Sequence, residues 1–179
     1  MALSDFEYMN QALRLALRGR GRTSPNPIVG AIVVSDGVVV GSGYHQEAGA
    51  PHAEVHALSA AGPAAKGATL FCTLEPCCHT GRTGPCVEQI VESGIRRVVV
   101  AVEDPNPLVA RGGISFLRDQ GVQVEVGLCG REAFQVNRDF FTFIRYNRPF
   151  VTMKIALSKD RCTTSKEGSR AIITSTTAN

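Results

Sequence analysis

Several features are missing from these 179 residues, and each absence removes a class of protein. No apolar run approaches the roughly 20 residues that a helix needs to cross a bilayer. The opening Met1-Ala-Leu-Ser-Asp5 lacks a basic stretch followed by a long apolar one, so neither a signal peptide nor an anchor is expected. These absences predict a cytoplasmic protein that meets no membrane. Charge of one sign is scarce, with a formal net charge of only +3. That excess suits a phosphorylated small molecule and is too weak to argue for nucleic acid. Gly19-x-Gly21 and Gly41-x-Gly43 do not continue to a third glycine before a helix, so no dinucleotide fingerprint is present. Internal repeats and low-complexity segments are absent too.

What is there reads as one globular domain of ordinary size, 44% hydrophobic and 20% charged. Six cysteines need a use. An even count permits three disulfides, but a chain this long, well supplied with apolar residues and without a secretory signal, needs none. Metal ligation by some, with the others as reduced thiols, is expected.

Local patterns predict the elements. Ser4-Asp5-Phe6-Glu7 reads as a capping box. It opens a helix with Met9, Ala12, Leu13, Ala16 and Leu17 on one face, ending near Gly19. Ile28–Val34 and Val38–Gly43 form a hairpin around Ser35-Asp36-Gly37. A helix runs from His52 and stops at Gly62-Pro63. Ala68–Thr73 is a buried strand, Pro85 starts a helix that Gly94 ends, and Arg97–Glu103 is a strand. Ile114–Gln120 is a helix, Val122–Leu128 a strand, Arg131–Tyr146 one longer helix, and Phe150–Leu157 a last strand. Alternation of strands and helices predicts an α/β layered domain with a mixed sheet.

The chemistry concentrates between Pro51 and Cys86. His52, Cys77 and Cys86 offer an imidazole and two thiolates, and Glu54 stands two residues after the histidine. Three protein ligands leave zinc a fourth position for water, the mark of a catalytic site. Zinc lowers the pKa of bound water from 15.7 to about 7, which suits replacement of a ring amine by oxygen. His52 and Glu54 are expected together in the first turn of their helix, where its positive end favours an ionised carboxylate. Glu54 then moves protons and is not a ligand. The layout is that of the zinc nucleobase deaminases, H-x-E…P-C-x-x-C, with one departure: eight residues separate Cys77 from Cys86. Two doublings of loop length cost only about 1.2 kcal/mol, small beside the roughly 10–16 kcal/mol of a structural zinc site in peptides. The loop holds Gly81 and Gly84 for turning, and His79 and Arg82 for reaching a substrate.

Gly21-Arg22-Thr23-Ser24-Pro25-Asn26-Pro27-Ile28-Val29-Gly30-Ala31, Thr73 to Cys86, and Asp104-Pro105-Asn106-Pro107 together resemble the N-terminal deaminase domain of the bifunctional riboflavin-biosynthesis deaminase/reductase. The resemblance runs from about Phe6 to Leu157. It implies a cytidine-deaminase-like three-layer α/β/α sandwich. It also implies conversion of 2,5-diamino-6-(5-phosphoribosylamino)pyrimidin-4(3H)-one to the 5-amino-pyrimidinedione, with release of ammonia. By motif match, His52, Cys77 and Cys86 bind Zn2+ and Glu54 is the proton shuttle. Asn26, His45, His79, Arg82, Asp104 and Asn106 match positions around the substrate, with Arg82 suited to phosphate. His45 and His79 as loop residues satisfied by backbone is the plainer alternative. Family members assemble as oligomers, so a homo-oligomer is expected.

The chain departs from that family at three places. Gly84 stands where a second proline is usual, Val109-Ala110-Arg111-Gly112-Gly113 replaces Val-Ala-Gly-Arg-Gly, and Arg161 follows Asp160 where glycine is usual. Residues 1–148 are expected to form the deaminase domain. Residues 149–179 are expected to be a final strand and a polar tail, the stub of a missing reductase, so no reductase activity is expected from this chain and a separate reductase is a candidate partner. Two rival functions stand beside this one: a deaminase of another pyrimidine, nucleoside or tRNA base, and a catalytically silent zinc-stabilised partner module. His56 is read as structural, Cys78 as a loop thiol, Cys72, Cys129 and Cys162 as small fillers or incidental thiols, and Arg18–Arg22 as a solvated helix end.

Overall fold

The computed structural model describes residues 3–78, 84–106 and 112–163. The capping box forms as expected. The Ser4 N–H donates to Glu7 Oε2 at 2.7 Å, the Glu7 N–H donates back to Ser4 Oγ at 3.4 Å, and helix α1 runs over Asp5–Ala16. A 3-10 turn, Leu17–Gly19, ends it.

Strands β1 (Gly30–Ser35) and β2 (Val38–Tyr44) form the expected hairpin. Both turn residues, Asp36 (φ 49°) and Gly37 (φ 76°), are left-handed, which matches the right-handed twist of the strands. Helix α2 (Ala53–Ala61) follows, then β3 (Thr69–Cys72), α3 (Cys86–Glu92), β4 (Arg97–Val100), α4 (Gly112–Asp119), β5 (Gln123–Val126), α5 (Gly130–Val136) and α6 (Arg138–Tyr146). The five strands make one sheet in the order β2-β1-β3-β4-β5. β1 is antiparallel to β2 and β3, and β3-β4 and β4-β5 are parallel. This is the mixed sheet expected.

Strand side chains alternate between faces, and here the alternation separates two cores. Ala31, Val33, Leu70, Cys72, Val98 and Val100 pack with α2, α3, Leu117 of α4 and Phe141 of α6. Ile32, Val34, Phe71 and Val99 pack with Tyr8, Met9, Ala12 and Leu13 of α1 and with Ala133 of α5. Helices therefore cover both faces, and the domain is a three-layer α/β/α sandwich. Gly41 and Gly43 let α2 lie directly on β2. A Cβ at either would strike the Ala57 or Ala53 carbonyl oxygen. That close approach brings the start of α2 to the edge of the sheet where the site lies.

Two element expectations need correction. The predicted single helix over 131–146 is broken at Asn137 (φ −118°, ψ 21°) into α5 and α6. The Asn137 side chain accepts from the Ile28 N–H and donates to the Ile28 carbonyl, each at 2.8 Å, and is 2% exposed. A long-range bond of this strength overrides the helical pattern. The strand predicted over 150–157 does not form. Val151 and Met153 are 78% and 77% exposed, and the segment joins no sheet. Its alternating pattern fits a strand, but a strand needs a partner for its backbone groups. The strands predicted over 97–103 and 122–128 are shorter, ending at Val100 and Val126. No helix among the described residues is long and apolar enough to cross a membrane.

Candidate metal and active site

The first candidate ligand sits at a helix start. His52 has extended backbone (φ −73°, ψ 166°) and is the N-cap of α2, one residue earlier than the first-turn position expected. Its Nδ1 lies 3.2 Å from Cys86 Sγ and 3.4 Å from Cys77 Sγ. Cys86 is the first residue of α3, after Pro85 as N-cap, and proline suits a helix start because its missing N–H would be unbonded there. Cys77 lies on the loop that leaves β3, and the Cys86 N–H donates to its sulfur at 3.3 Å. All three donor atoms fall within 4.8 Å of one another.

These separations fit zinc. Tetrahedral bonds of about 2.0–2.3 Å place donors roughly 3.5 Å apart. An imidazole with two thiolates is also a zinc-type donor set. Among the described residues this is the one such cluster of metal-donor side chains. The protein's own groups prepare the sulfurs. Hydrogen bonding from the Cys86 thiol, then from His52 and the Cys86 N–H, pulls the Cys77 thiol down to about 4. Cys86 is pushed up, by donating to Cys77 and by burial. His52 is raised, chiefly by its hydrogen bond to Cys77. The pair thus favours a charge on Cys77, and a bound cation would favour the deprotonated form of both sulfurs.

Glu54 occupies the first turn of α2 and is 4% exposed. Burial is the main cause that raises its carboxyl to about 7. A carboxyl near neutrality can both accept and return a proton. The Cys72 thiol, on the neighbouring strand β3, lies close enough to influence its titration. Cys72 was expected to be a filler, so this contact was missed; no local pattern pairs residues 54 and 72.

A cavity of about 200 Å³ unites the site. Asn26, His45, His52, Glu54, Cys77, Asp104 and Asn106 all line it, whereas Cys86 lies fully buried. His45 donates from Nδ1 to the Pro51 carbonyl and receives an Asn26 Nδ2 hydrogen at Nε2, each at 3.2 Å. That pairing requires the neutral ring, and burial lowers the His45 pKa accordingly. With its amide nitrogen engaged, Asn26 has its carbonyl oxygen left for a ligand. Also lining the cavity, the Asp104 carboxylate accepts the Asn106 N–H at 2.8 Å. His79 and Arg82 lie outside the described residues, as does the 107–111 segment.

Three other residues matter and were not anticipated. Phe140 of α6 lines the cavity, and nothing local signals that a helix 85 residues after α2 begins should reach it. Asn137 holds Ile28, two residues from Asn26. Glu75 is 4% exposed, lines the cavity and accepts three backbone N–H groups, from Asp104, Gly113 and Ile114. A carboxylate directly before Pro76-Cys77 was the available signal for Glu75.

Comparison with known proteins now adds to this geometry. Residues 3–102 match the family described as the cytidine and deoxycytidylate deaminase zinc-binding region. The chain is 54% identical over 171 residues to the riboflavin biosynthesis protein RibD of Aquifex aeolicus, covering 96% of this chain and 48% of that protein. It superposes on Acinetobacter baumannii RibD with a TM-score of 0.90 at 45% identity, covering 97% of this chain and 49% of that one. A structure from Thermotoga maritima, a diaminohydroxyphosphoribosylaminopyrimidine deaminase/5-amino-6-(5-phosphoribosylamino)uracil reductase, gives a TM-score of 0.90 at 40% identity over 95% of this chain and 49% of that chain. The chain spans about half the length of the curated relatives it matches. The resemblance drawn from the sequence and the cytidine-deaminase-like fold are both borne out.

Proposed function

The chain belongs to the cytidine and deoxycytidylate deaminase zinc-binding family, and from that premise we propose that it deaminates 2,5-diamino-6-(5-phosphoribosylamino)pyrimidin-4(3H)-one in riboflavin biosynthesis. The observation that carries this reading is the His52–Cys77–Cys86 triangle beside a cavity that His52, Cys77 and Glu54 line. Likeness to RibD proteins supports the choice of substrate.

His52, Cys77 and Cys86 would hold the zinc, which would supply Lewis-acid activation of water. Glu54 takes a proton from the attacking water and delivers it to the ring nitrogen. It takes the second proton and delivers it to the leaving amine, so one water is consumed and one ammonia released. Buried surroundings keep Glu54 close to neutrality for both transfers. Asn26 presents its carbonyl oxygen, and Asp104 and Asn106 face the ring from the other wall. His45 holds Asn26 in place and stays neutral. Phe140 supplies an apolar surface on which a flat ring can rest. His79 and Arg82 take the outer part of the substrate, with the Arg82 fork on the phosphate. Residues 149–179 belong with a reductase half, present in the same polypeptide or as a separate partner. The assembly is a cytoplasmic homo-oligomer.

Ammonia release from the pyrimidine phosphate by zinc-loaded protein tests the reading. Glu54→Gln at equal zinc content should lower kcat by about a thousandfold. Turnover of cytidine or a tRNA anticodon loop, with none of the pyrimidine phosphate, would move the chain to another deaminase activity. Equal rates for wild type and Glu54→Gln would remove Glu54 from this mechanism, and no release by either would leave a silent zinc module.

A further inference from the structure

Two walls of the cavity come from distant parts of the chain, and one side chain joins them. Glu75 lies two residues before Cys77, on the loop that leaves β3. Its Oε2 accepts the Asp104 N–H at 3.2 Å. Its Oε1 accepts the N–H groups of Gly113 and Ile114, at 3.1 and 3.2 Å. The latter two belong to the first turn of α4, where backbone N–H groups have no partner within the helix. The backbone is equally close here, since a Cβ at Gly113 would run into the Pro76 carbonyl oxygen. The Glu75 N–H in turn donates to the Val102 carbonyl at 3.0 Å. Asp104 passes the constraint on, because its carboxylate holds the Asn106 N–H.

A carboxylate buried to 4% exposure is costly unless its oxygens are fully used. An apolar residue of similar volume would leave three backbone N–H groups without an acceptor. Glu75 instead uses each oxygen in a different direction, one toward α4 and one toward the loop at 104–106. We propose that Glu75 is a positioning residue for substrate binding: it holds the Asp104–Asn106 wall at a set distance from the metal-bearing Cys77 loop. It acts through Asp104 and Asn106, and its contribution is to binding and not to the chemical step. The inference rests on the deaminase reading above, in which that wall faces the pyrimidine.

Glu75→Gln separates the two halves of the clamp. The amide carbonyl can still accept from Gly113 and Ile114, but the NH2 group then meets the Asp104 N–H donor to donor. The zinc-loaded variant should keep wild-type metal content and raise KM by about tenfold, with kcat within about threefold. Amide exchange should quicken at Asp104 and Asn106 and stay unchanged at Gly113 and Ile114. Asn106→Ala should raise KM as well, and the double variant should be no worse than the poorer single one, because both act on one wall. A fall in kcat with KM unchanged, additive effects in the double variant, or unchanged exchange at Asp104 would each overturn the proposal. Should wild-type protein turn over no pyrimidine phosphate, the deaminase reading fails separately. The exchange measurement then still decides whether Glu75 holds the wall. If Glu75→Gln is recovered unfolded, Glu75→Asp, which shortens the reach to Asp104 by one methylene, replaces it with the same expected split between KM and kcat.

Discussion

The metal-binding end of the domain and the segment at 150–157 carry equally clear local patterns, yet only one becomes structure. His52, Cys77 and Cys86 are scattered in the chain, and each is set by a local device: an N-cap, a proline-led loop and a proline-led helix start. Those devices all rest on the same sheet, so the donors converge to within 4.8 Å. Val151, Met153, Ile155 and Leu157 alternate regularly with other residues, but they stay exposed and unpaired. A strand is a relation between two segments, and periodicity describes only one of them. The middle case is Asn137, where a good helical pattern over 131–146 yields to two bonds with Ile28.

The contrast can be broken most severely at the metal. Cys86→Ser should abolish zinc retention after dialysis and lower ammonia release by at least a thousandfold, because the thiolate is buried and replaced by a poor ligand. Zinc analysis and activity on the same sample check this, and full activity would show that the convergence is not functional. Asn137→Ala should have the next largest effect. It leaves the Ile28 N–H and carbonyl without their partner in a buried place, a loss of about 2–3 kcal/mol. Denaturant unfolding should read that loss, accompanied by a raised KM through Asn26. A neutral result would mean that α5 and α6 do not brace this wall. The smallest change is expected at Met153→Lys. An exposed, unpaired residue should alter unfolding stability by no more than about 0.5 kcal/mol. A larger loss would mean that the 150–157 segment packs against something after all.

Much of the site was legible before any coordinates. The Ser4–Glu7 capping box, the Asp36-Gly37 hairpin, the glycine stop after α3 and the H-x-E and Pro-Cys pairs all obey rules of a few residues' range. The order of strands and helices also foretold an α/β layered domain with a mixed sheet. What could not be read lies across long separations. Cys72 touches Glu54, Glu75 reaches α4, Asn137 reaches Ile28 and Phe140 enters the cavity, and none of these pairs has a fixed offset in the chain. The extent of Glu54 burial, which raises its carboxyl to about 7, belongs to the same group.

The sequence by itself determined which chemistry is available: a zinc donor set, a carboxylate beside it, and elements able to present them. It did so because metal-ligand identity, capping and turn preferences depend on residue type and short spacing alone. Only the tertiary structure decided that the donors meet, that Glu54 is buried beside the cavity, that Glu75 ties two walls together, and that residues 150–157 form no strand. Those outcomes depend on which strand lies beside which, and the order β2-β1-β3-β4-β5 is a property of the whole packed sheet.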